Sequence, residues 1–222
     1  MKFTALLPMK HHSERVSGKN MRLFNGKPLY HHVLHTLDRC EEIEQIVINT
    51  DSNIISEEAI RISPKVKIHV RPKDICGDFV PMNDIIAYDV KESGKEYFIQ
   101  THSTNPLLKH ETLSKALQKY KDNIAIYDSV FSVTRLQTRL YWQDGKPVNH
   151  NPAELLRTQD LPPLFEENSN FFIFSNQSFV NAGNKRIGLN PLMFEMNKLE
   201  AMDIDEPADF ILAETLHKLG IV

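Results

Sequence analysis

The strongest constraint on the fold is the regular alternation of short apolar runs with amphipathic stretches over the first 134 residues. Phe3 to Leu7, Gln45 to Asn49, Val66 to Val70, Tyr97 to Gln100 and Ser129 to Thr134 read as strands. Between them, Pro28 to Arg39, Ile54 to Ile62, Asn83 to Lys91 and His110 to Tyr120 carry apolar residues at helical spacing. Pro28 suits a first helical turn, and Leu29, Val33, Leu34 and Leu37 make one face. Strand–helix alternation of this kind predicts βαβ units and a mostly parallel central sheet with helices on both faces, a three-layer α/β fold. Right-handed crossovers put the C-terminal ends of the strands on one edge, where such sheets bind ligands. That edge would gather the loop 9–27 after strand one, Asp51 after strand two, Arg71 after strand three and Gln100 onward after strand four.

The pattern breaks after Arg135. Leu140 to Pro147 predicts a hairpin around Asp144-Gly145, and Asn151 to Asn168, with Pro152, Pro162 and Pro163, predicts irregular chain. Strands resume at Phe171 to Ser175 and Pro191 to Met196. Glu206 to Lys218 predicts a closing helix with Asp205 as N-cap and Pro207 in its first turn. The expected organisation is one domain over 1–222, with 136–168 as an excursion from the sheet.

A net charge of −3 argues against general nucleic-acid binding, yet Lys10, Arg15, Lys19 and Arg22 cluster on one loop with Glu14 as the sole acid. A basic loop after a strand suits a polyanionic small ligand such as a nucleoside triphosphate, whose leaving group must be neutralised. It matches neither G-x-G-x-x-G nor G-x-x-x-x-G-K-[ST], and an ordinary solvated loop is the competing reading. Asp203-Ile204-Asp205 reads as the end of a strand with two carboxylates pointing the same way, a pair that can hold Mg²⁺. Helix capping by Asp205 competes with that. The polar run Gln100 to Asn105 suits a hydroxylated ligand, or a plain loop. His11-His12, His31-His32 and His35 are better read as surface or packing residues than as a metal site, since no glutamate completes a zinc pattern. Two cysteines in no metal or redox spacing, no signal peptide and no apolar stretch of membrane length lead to the expectation of a cytoplasmic protein.

In order along the chain these segments resemble the acylneuraminate cytidylyltransferase (CMP-sialic acid synthetase) family. The matching pieces are the basic loop ending in Lys19-Asn20, then Gly26-Lys27-Pro28-Leu29, and Asn49-Thr50-Asp51-Ser52. They continue with Val70-Arg71-Pro72 followed by Asp78, Gln100 through Leu107, and Met202-Asp203-Ile204-Asp205 with Asp209 and Ala213-Glu214. The resemblance implies CTP, Mg²⁺, a sialic-acid-like keto-acid sugar and a homodimer into whose partner the excursion reaches. It implies nucleotide contacts from Lys10, Ser13, Arg15, Lys19, Asn20, Arg71, Asp78 and Asn83, with Lys10, Arg15, Lys19 and Asp205 in the chemistry. Asp203 and Asp205 would hold the metal, and Gln100, Asn105, Arg157 and Asn168 would position the sugar.

Two departures stand out. Phe79 to Asn83 replace short residues of the nucleotide side, and Glu166-Glu167 stand where the sugar-binding strand has an arginine. Legionaminate- or pseudaminate-like sugars are therefore as compatible as N-acetylneuraminate. The rival expectations are a nucleotidyltransferase using another nucleotide with a sugar phosphate, and a non-catalytic sugar-nucleotide-binding subunit.

Overall fold

The computed structural model describes residues 1–11, 16–77 and 79–222. The elements are β1 (Phe3–Leu6), β2 (Leu23–Phe24), β3 (Lys27–Pro28), α1 (Leu29–Arg39), β4 (Ile43–Thr50), α2 (Asn53–Ile62), β5 (Val66–Val70), α3 (Met82–Ser93), β6 (Tyr97–Thr101) and α4 (His110–Asn123). They continue as β7 (Ser129–Leu136), β8 (Leu164–Ser175), α5 (Asn176–Asn181), β9 (Pro191–Glu195) and α6 (Pro207–Lys218). The seven-stranded sheet has the order β5-β4-β1-β6-β8-β7-β9. Four of its pairings are parallel, and β8 runs antiparallel to both β6 and β7. None of the helices among the described residues is long and apolar enough to cross a membrane.

Alternation along each strand divides the core into two layers. Phe3, Ala5 and Leu7, with Ile46 and Ile48, pack beneath α1, α2 and α4. Leu6, Val47, Phe98, Phe172 and Phe174 point the other way, against Ile86 and Val90 of α3 and Phe179 of α5. The expected three-layer arrangement is therefore present, with a mixed sheet. After β1 the chain diverges, to β4 and β5 on one side and to β6 on the other. The crevice at that switch lies beyond the C-terminal ends of β1 and β6, where α/β sheets bind ligands.

Three elements differ from expectation. Leu164 to Asn168 is strand rather than irregular chain: β8 starts seven residues before Phe171, pairing Leu164 to Glu167 against β7. The polar run Glu166-Glu167-Asn168 hides it, because this half of β8 projects past Thr101, the end of β6, and has no second apolar layer to face. The loop after β1 contains a two-residue hairpin, β2–β3, whose Asn25-Gly26 turn has φ of 46° and 84°. An Asn-Gly turn with both φ positive is the type that matches strand twist. Finally, α6 is capped by Glu206, not Asp205: Glu206 and Asp209 form a reciprocal capping box, and the Glu206 N–H donates to Asp209 Oδ2 at 2.7 Å.

A third cluster seats α6 beside the switch. Phe24, Leu29, Leu107, Ile204, Phe210 and Ala213 pack together, so the hairpin, the loop after β6 and the segment before α6 share one apolar centre. His32 closes this cluster, its Nε2 3.0 Å from the Phe24 carbonyl and its ring edge-on to Phe24 and His217. Burial, with the nearby His217 and Lys27, pushes its pKa down to about 4. An unfolded histidine titrates near 6.5. The stability this neutral ring contributes is thus complete above that value and lost as pH falls through about 4. The urea midpoint of the wild type is expected to drop between these two pH values, and that of His32→Gln to drop less. Parallel curves for the two proteins would remove His32 as a source of acid lability.

His31 and His35 are ring neighbours on α1, and His31 Nε2 lies 3.3 Å from Glu58 of α2. Their contacts are those of helix packing.

Candidate active site

The loop after β1 leaves the sheet by extending its ladder. The Leu7 N–H donates to the Val47 carbonyl and the Met9 N–H to Asn49, both at 2.9 Å. The His11 N–H then reaches Asp51 Oδ1 at 2.7 Å, and its ring lies 3.0 Å from the Ser52 hydroxyl. Of the residues expected here, Ser13 and Arg15 lie outside the described residues, as does Asp78. Past Gly18, whose φ of 60° turns the chain, Lys19–Met21 form a 3₁₀ turn.

Two neighbours in that turn bind the edge together. Asn20 is buried; its amide donates to the Lys10 carbonyl at 2.9 Å and its oxygen accepts from the Ser103 hydroxyl at 2.7 Å. It thereby clamps the loop after β1 to the loop after β6. Lys19 Nζ donates to the Ile204 carbonyl at 2.5 Å and stands 3.9 Å from Asp205 Oδ1. Residues 185 positions apart in sequence thus place a cation beside the carboxylate segment.

That segment is not a strand end, as expected, but extended chain held at one point: Ile204 is fully buried and its N–H donates to the Thr104 carbonyl at 2.9 Å. Alternation about Ile204 turns Asp203 and Asp205 towards one cavity of about 400 Å³, whose wall includes Glu167 and Asn168 of β8. Asn168 is oriented by a hydrogen bond to the Thr134 hydroxyl at 3.0 Å. Next to it, Ser169 at φ 54° and a register shift of β8 against β7 form a bulge, a device that re-aims side chains at site edges.

Burial raises the pKa of Asp203, Thr104 acts the other way through a hydrogen bond, and the charge of Asp205 raises it further. Among the described residues, the buried Asp203 Oδ1 has no hydrogen-bond partner. An orphaned carboxylate oxygen beside a second carboxylate is the donor set a hard divalent cation takes, the rest of its shell coming from phosphate and water. Among the described residues there is no group of three or more such side chains. The pair therefore fits an ion shared with a phosphate-bearing ligand rather than an all-protein cage.

On the other side of the crevice, Arg71 is buried. Its Nε donates to Asn49 Oδ1 at 2.6 Å and its Nη2 to the Asn49 carbonyl at 3.0 Å. Gln100, the last residue but one of β6, has its oxygen accepting from Arg186 Nη1 and its amide donating to the Thr101 carbonyl. Because the oxygen is committed to Arg186, the amide N–H side faces His102 Nε2, 3.2 Å away, which makes that nitrogen the acceptor. Burial, with Arg186 and Lys19 nearby, pushes the His102 pKa down to about 4, so its imidazole is neutral at pH 7. Asn83, in the first turn of α3, accepts from Arg186 Nε at 3.1 Å, on the Gln100 side of the site. Asn105 is buried, its amide 3.5 Å from the Met202 carbonyl, so it ties the loop after β6 to the carboxylate segment. Arg157 is exposed and forked onto Asp160 of its own turn at 2.7 and 3.1 Å, and it lines neither this cavity nor the one beside Arg186.

Lys10, Lys19, Asn20, Asn168, Asp203 and Asp205 are thus drawn to one edge, and Gln100 and Asn83 join Arg186 beside it. His102 and Arg186 were missed in the sequence. His102 was visible inside the polar run, whereas Arg186 had no local signal.

The chain matches the family model described as "Cytidylyltransferase" over residues 4–219. It belongs to the cytidylyltransferase family. Within this enzyme family it is related to transferases of sialic-acid-like sugars. It is 28% identical to the CMP-N,N'-diacetyllegionaminic acid synthase of Legionella pneumophila, the alignment covering 99% of this chain and 98% of that one. It is 24% identical to an N-acylneuraminate cytidylyltransferase of Streptococcus agalactiae over 95% of this chain, which spans 52% of that longer protein. A solved structure of CMP:2-keto-3-deoxy-manno-octonic acid synthetase complexed with CTP superposes with a TM-score of 0.67 at 13% identity, covering 99% of this chain and 100% of that one. At that identity the likeness establishes the α/β fold.

Proposed function

We propose that this cytidylyltransferase activates a nonulosonic, sialic-acid-like keto-acid sugar, converting CTP and the sugar acid to a CMP-sugar and pyrophosphate. The observation that carries this is Lys19 Nζ 3.9 Å from Asp205 Oδ1, beside the cavity that Asp203 and Asp205 share with Asn168. A cation for a leaving group and a carboxylate pair for a metal meet next to polar groups for a sugar. In this reading the anomeric oxygen forms a bond to the α-phosphorus while the bond to the bridging oxygen breaks. Pyrophosphate departs with the electron pair, and the hydroxyl proton passes to solvent. Lys10, Arg15 and Lys19 neutralise the leaving group, and Arg71, with Ser13, Asn20 and Asp78, holds the nucleotide. Asp203 and Asp205 would hold Mg²⁺, which would supply charge stabilisation at the phosphate. Gln100 and Asn168 orient the sugar, with Asn105 supporting their loop; Asn83, expected from the sequence on the nucleotide side, joins the sugar side in this reading because Arg186 links it to Gln100. Positioning and electrostatics supply most of the rate in such transfers.

The excursion 136–168 exposes Trp142 and Leu155, which supports a homodimer contact there, with Arg157 serving the partner's sugar. The whole chain, 1–222, acts as one catalytic domain in this reading.

The test is pyrophosphate release with Mg²⁺ and CTP against N-acetylneuraminate, legionaminate, pseudaminate and 3-deoxy-manno-octulosonate, with UTP and GTP as controls. Release with CTP and a nine-carbon acid, abolished by a chelator, is the expected result. Release only with the eight-carbon acid would move the substrate class, and release with UTP or GTP alone would overturn the nucleotide assignment.

A further inference from the structure

Arg186 lies in the connection between α5 and β9 and reaches back across the sheet edge. Its guanidinium is half-buried. Nε donates to Asn83 Oδ1 at 3.1 Å, Nη1 donates to Gln100 Oε1 at 2.5 Å, and the plane lies 4.2 Å from the centre of the Phe172 ring. All three partners are neutral, and among the described residues no carboxylate is within ion-pair distance of it. Two amide oxygens and a ring face hold the cation in place, and among the described residues its charge is offset only from a distance, by Glu167, an arrangement that is costly away from water. A guanidinium has five N–H donors in a planar fork. With Nε and one Nη1 hydrogen engaged, Nη2 and the second Nη1 hydrogen remain for a ligand, a pair suited to a carboxylate.

The space in front of Arg186 is a cavity of about 290 Å³ that also touches Asn83, Glu167, Phe172 and Lys185. Glu167 forms part of the wall of the larger Asp203–Asp205 cavity too, so one side chain separates a cationic chamber from an anionic one. The formal charge of the smaller chamber is +1, from Arg186 and Lys185 against Glu167, which matches one carboxylate better than a polyphosphate. The polyphosphate has its own cations on the loop after β1. Glu166 and Glu167 occupy the positions where the resemblance implies a base on the sugar-binding strand, and Arg186 brings a base to the same place from a different element.

We infer that Arg186 binds the carboxylate of the sugar acid, fixing the keto acid in the smaller chamber with its anomeric carbon turned towards the Asp203–Asp205 cavity. This rests on the keto-acid reading proposed above. It makes acid recognition in this chain a property of the α5–β9 connection, oriented by Asn83 and Gln100, rather than of β8.

The test compares a sugar acid that the wild type turns over with its methyl ester, in the wild type and in Arg186→Gln and Arg186→Lys. Hydrogen bonds to a charged group lead to an expected rise in KM for the acid of roughly 10- to 100-fold in R186Q. KM for CTP should stay within about twofold, and R186Q should be nearly indifferent between acid and ester, where the wild type prefers the acid by the same large factor. R186K keeps the charge without the fork and should fall between them. An acid-over-ester preference in R186Q equal to the wild type's overturns the role of Arg186 while leaving the keto-acid reading intact, as does a KM change confined to CTP. If R186Q does not fold, an undiminished preference in R186K overturns it equally. If the wild type turns over none of the keto acids, both fall together.

Discussion

Asp205→Asn is expected to lower kcat by on the order of 10²- to 10³-fold while leaving the thermal midpoint nearly unchanged. The two halves of that expectation come from different contacts. Asp205 shares its cavity with Asp203 and faces Lys19 Nζ at 3.9 Å, so the amide removes one of two charges from the proposed metal pair and alters the field around the leaving-group lysine. Its side chain does not cap α6. The cap of α6 belongs to Glu206 and Asp209, and the Asp205 N–H donates to Asp209 Oδ2 at 3.1 Å whatever the side chain at 205. A half-exposed, isosteric change of this kind costs within about 0.5 kcal/mol. Steady-state turnover with CTP, a keto-acid sugar and Mg²⁺, set beside a thermal melt without metal, reads both. Unchanged kcat would remove Asp205 from the chemistry. A melt lowered by many degrees would restore a structural role that the capping box contradicts.

That case also shows where sequence reasoning reaches its limit. Asp203 and Asp205 could be placed on one side of an extended segment from alternation alone, and Lys19 on the facing loop from strand order. Whether Asp205 caps a helix depends on whether α6 begins at Asp205 or one residue later, a local choice decided by the Glu206–Asp209 box. β1, β4 and β6 were legible because each is a largely buried apolar run bounded by turn residues, and β5, at the sheet edge, because its residues alternate. β8 was half legible for the same reason: Phe171 to Ser175 lies between two apolar layers, whereas Leu164 to Glu167 runs past the end of β6, pairs with β7 alone and loses the pattern. With it went the wall that Glu167 and Asn168 provide. Arg186 could not be seen at all. Its partners Asn83 and Gln100 are 103 and 86 residues away and meet it only because β8 inserts antiparallel beside β6. The Asn25-Gly26 hairpin, by contrast, had a plain local signal inside a stretch read as loop.

Replacing Asp89 by alanine is expected to cost about 3–5 kcal/mol, the loss seen when one member of a buried charged network is removed. Asp89 sits on α3, fully buried. Its Oδ1 accepts from Asn49 Nδ2 and from His69 Nδ1, both at 2.8 Å, and the other end of Asn49 accepts from Arg71 Nε at 2.6 Å. Asn49 therefore relays between a buried anion and a buried guanidinium that do not touch. Burial disfavours the charged guanidinium, and Asp51, Cys76 and Asp89 act against that. Without Asp89, the Asn49 amide and the His69 ring lose their acceptor and Arg71 loses its buried counter-charge. In a chain of this length each kcal/mol moves the midpoint by roughly 2–4 °C, so a fall of about 6–20 °C is expected. Asp89→Asn keeps the shape and one acceptor oxygen and should lose about 1–3 kcal/mol. Because Asn49 orients Arg71 from the end of β4, KM for CTP should rise in D89N even at temperatures where the variant is fully folded, with KM for the sugar acid unaffected. Urea denaturation at pH 7 and paired KM measurements separate the two consequences. An unaltered midpoint in D89A would show that the network carries no net charge balance. A lowered midpoint with an unchanged KM for CTP would confine it to the core and release Arg71 from any dependence on it.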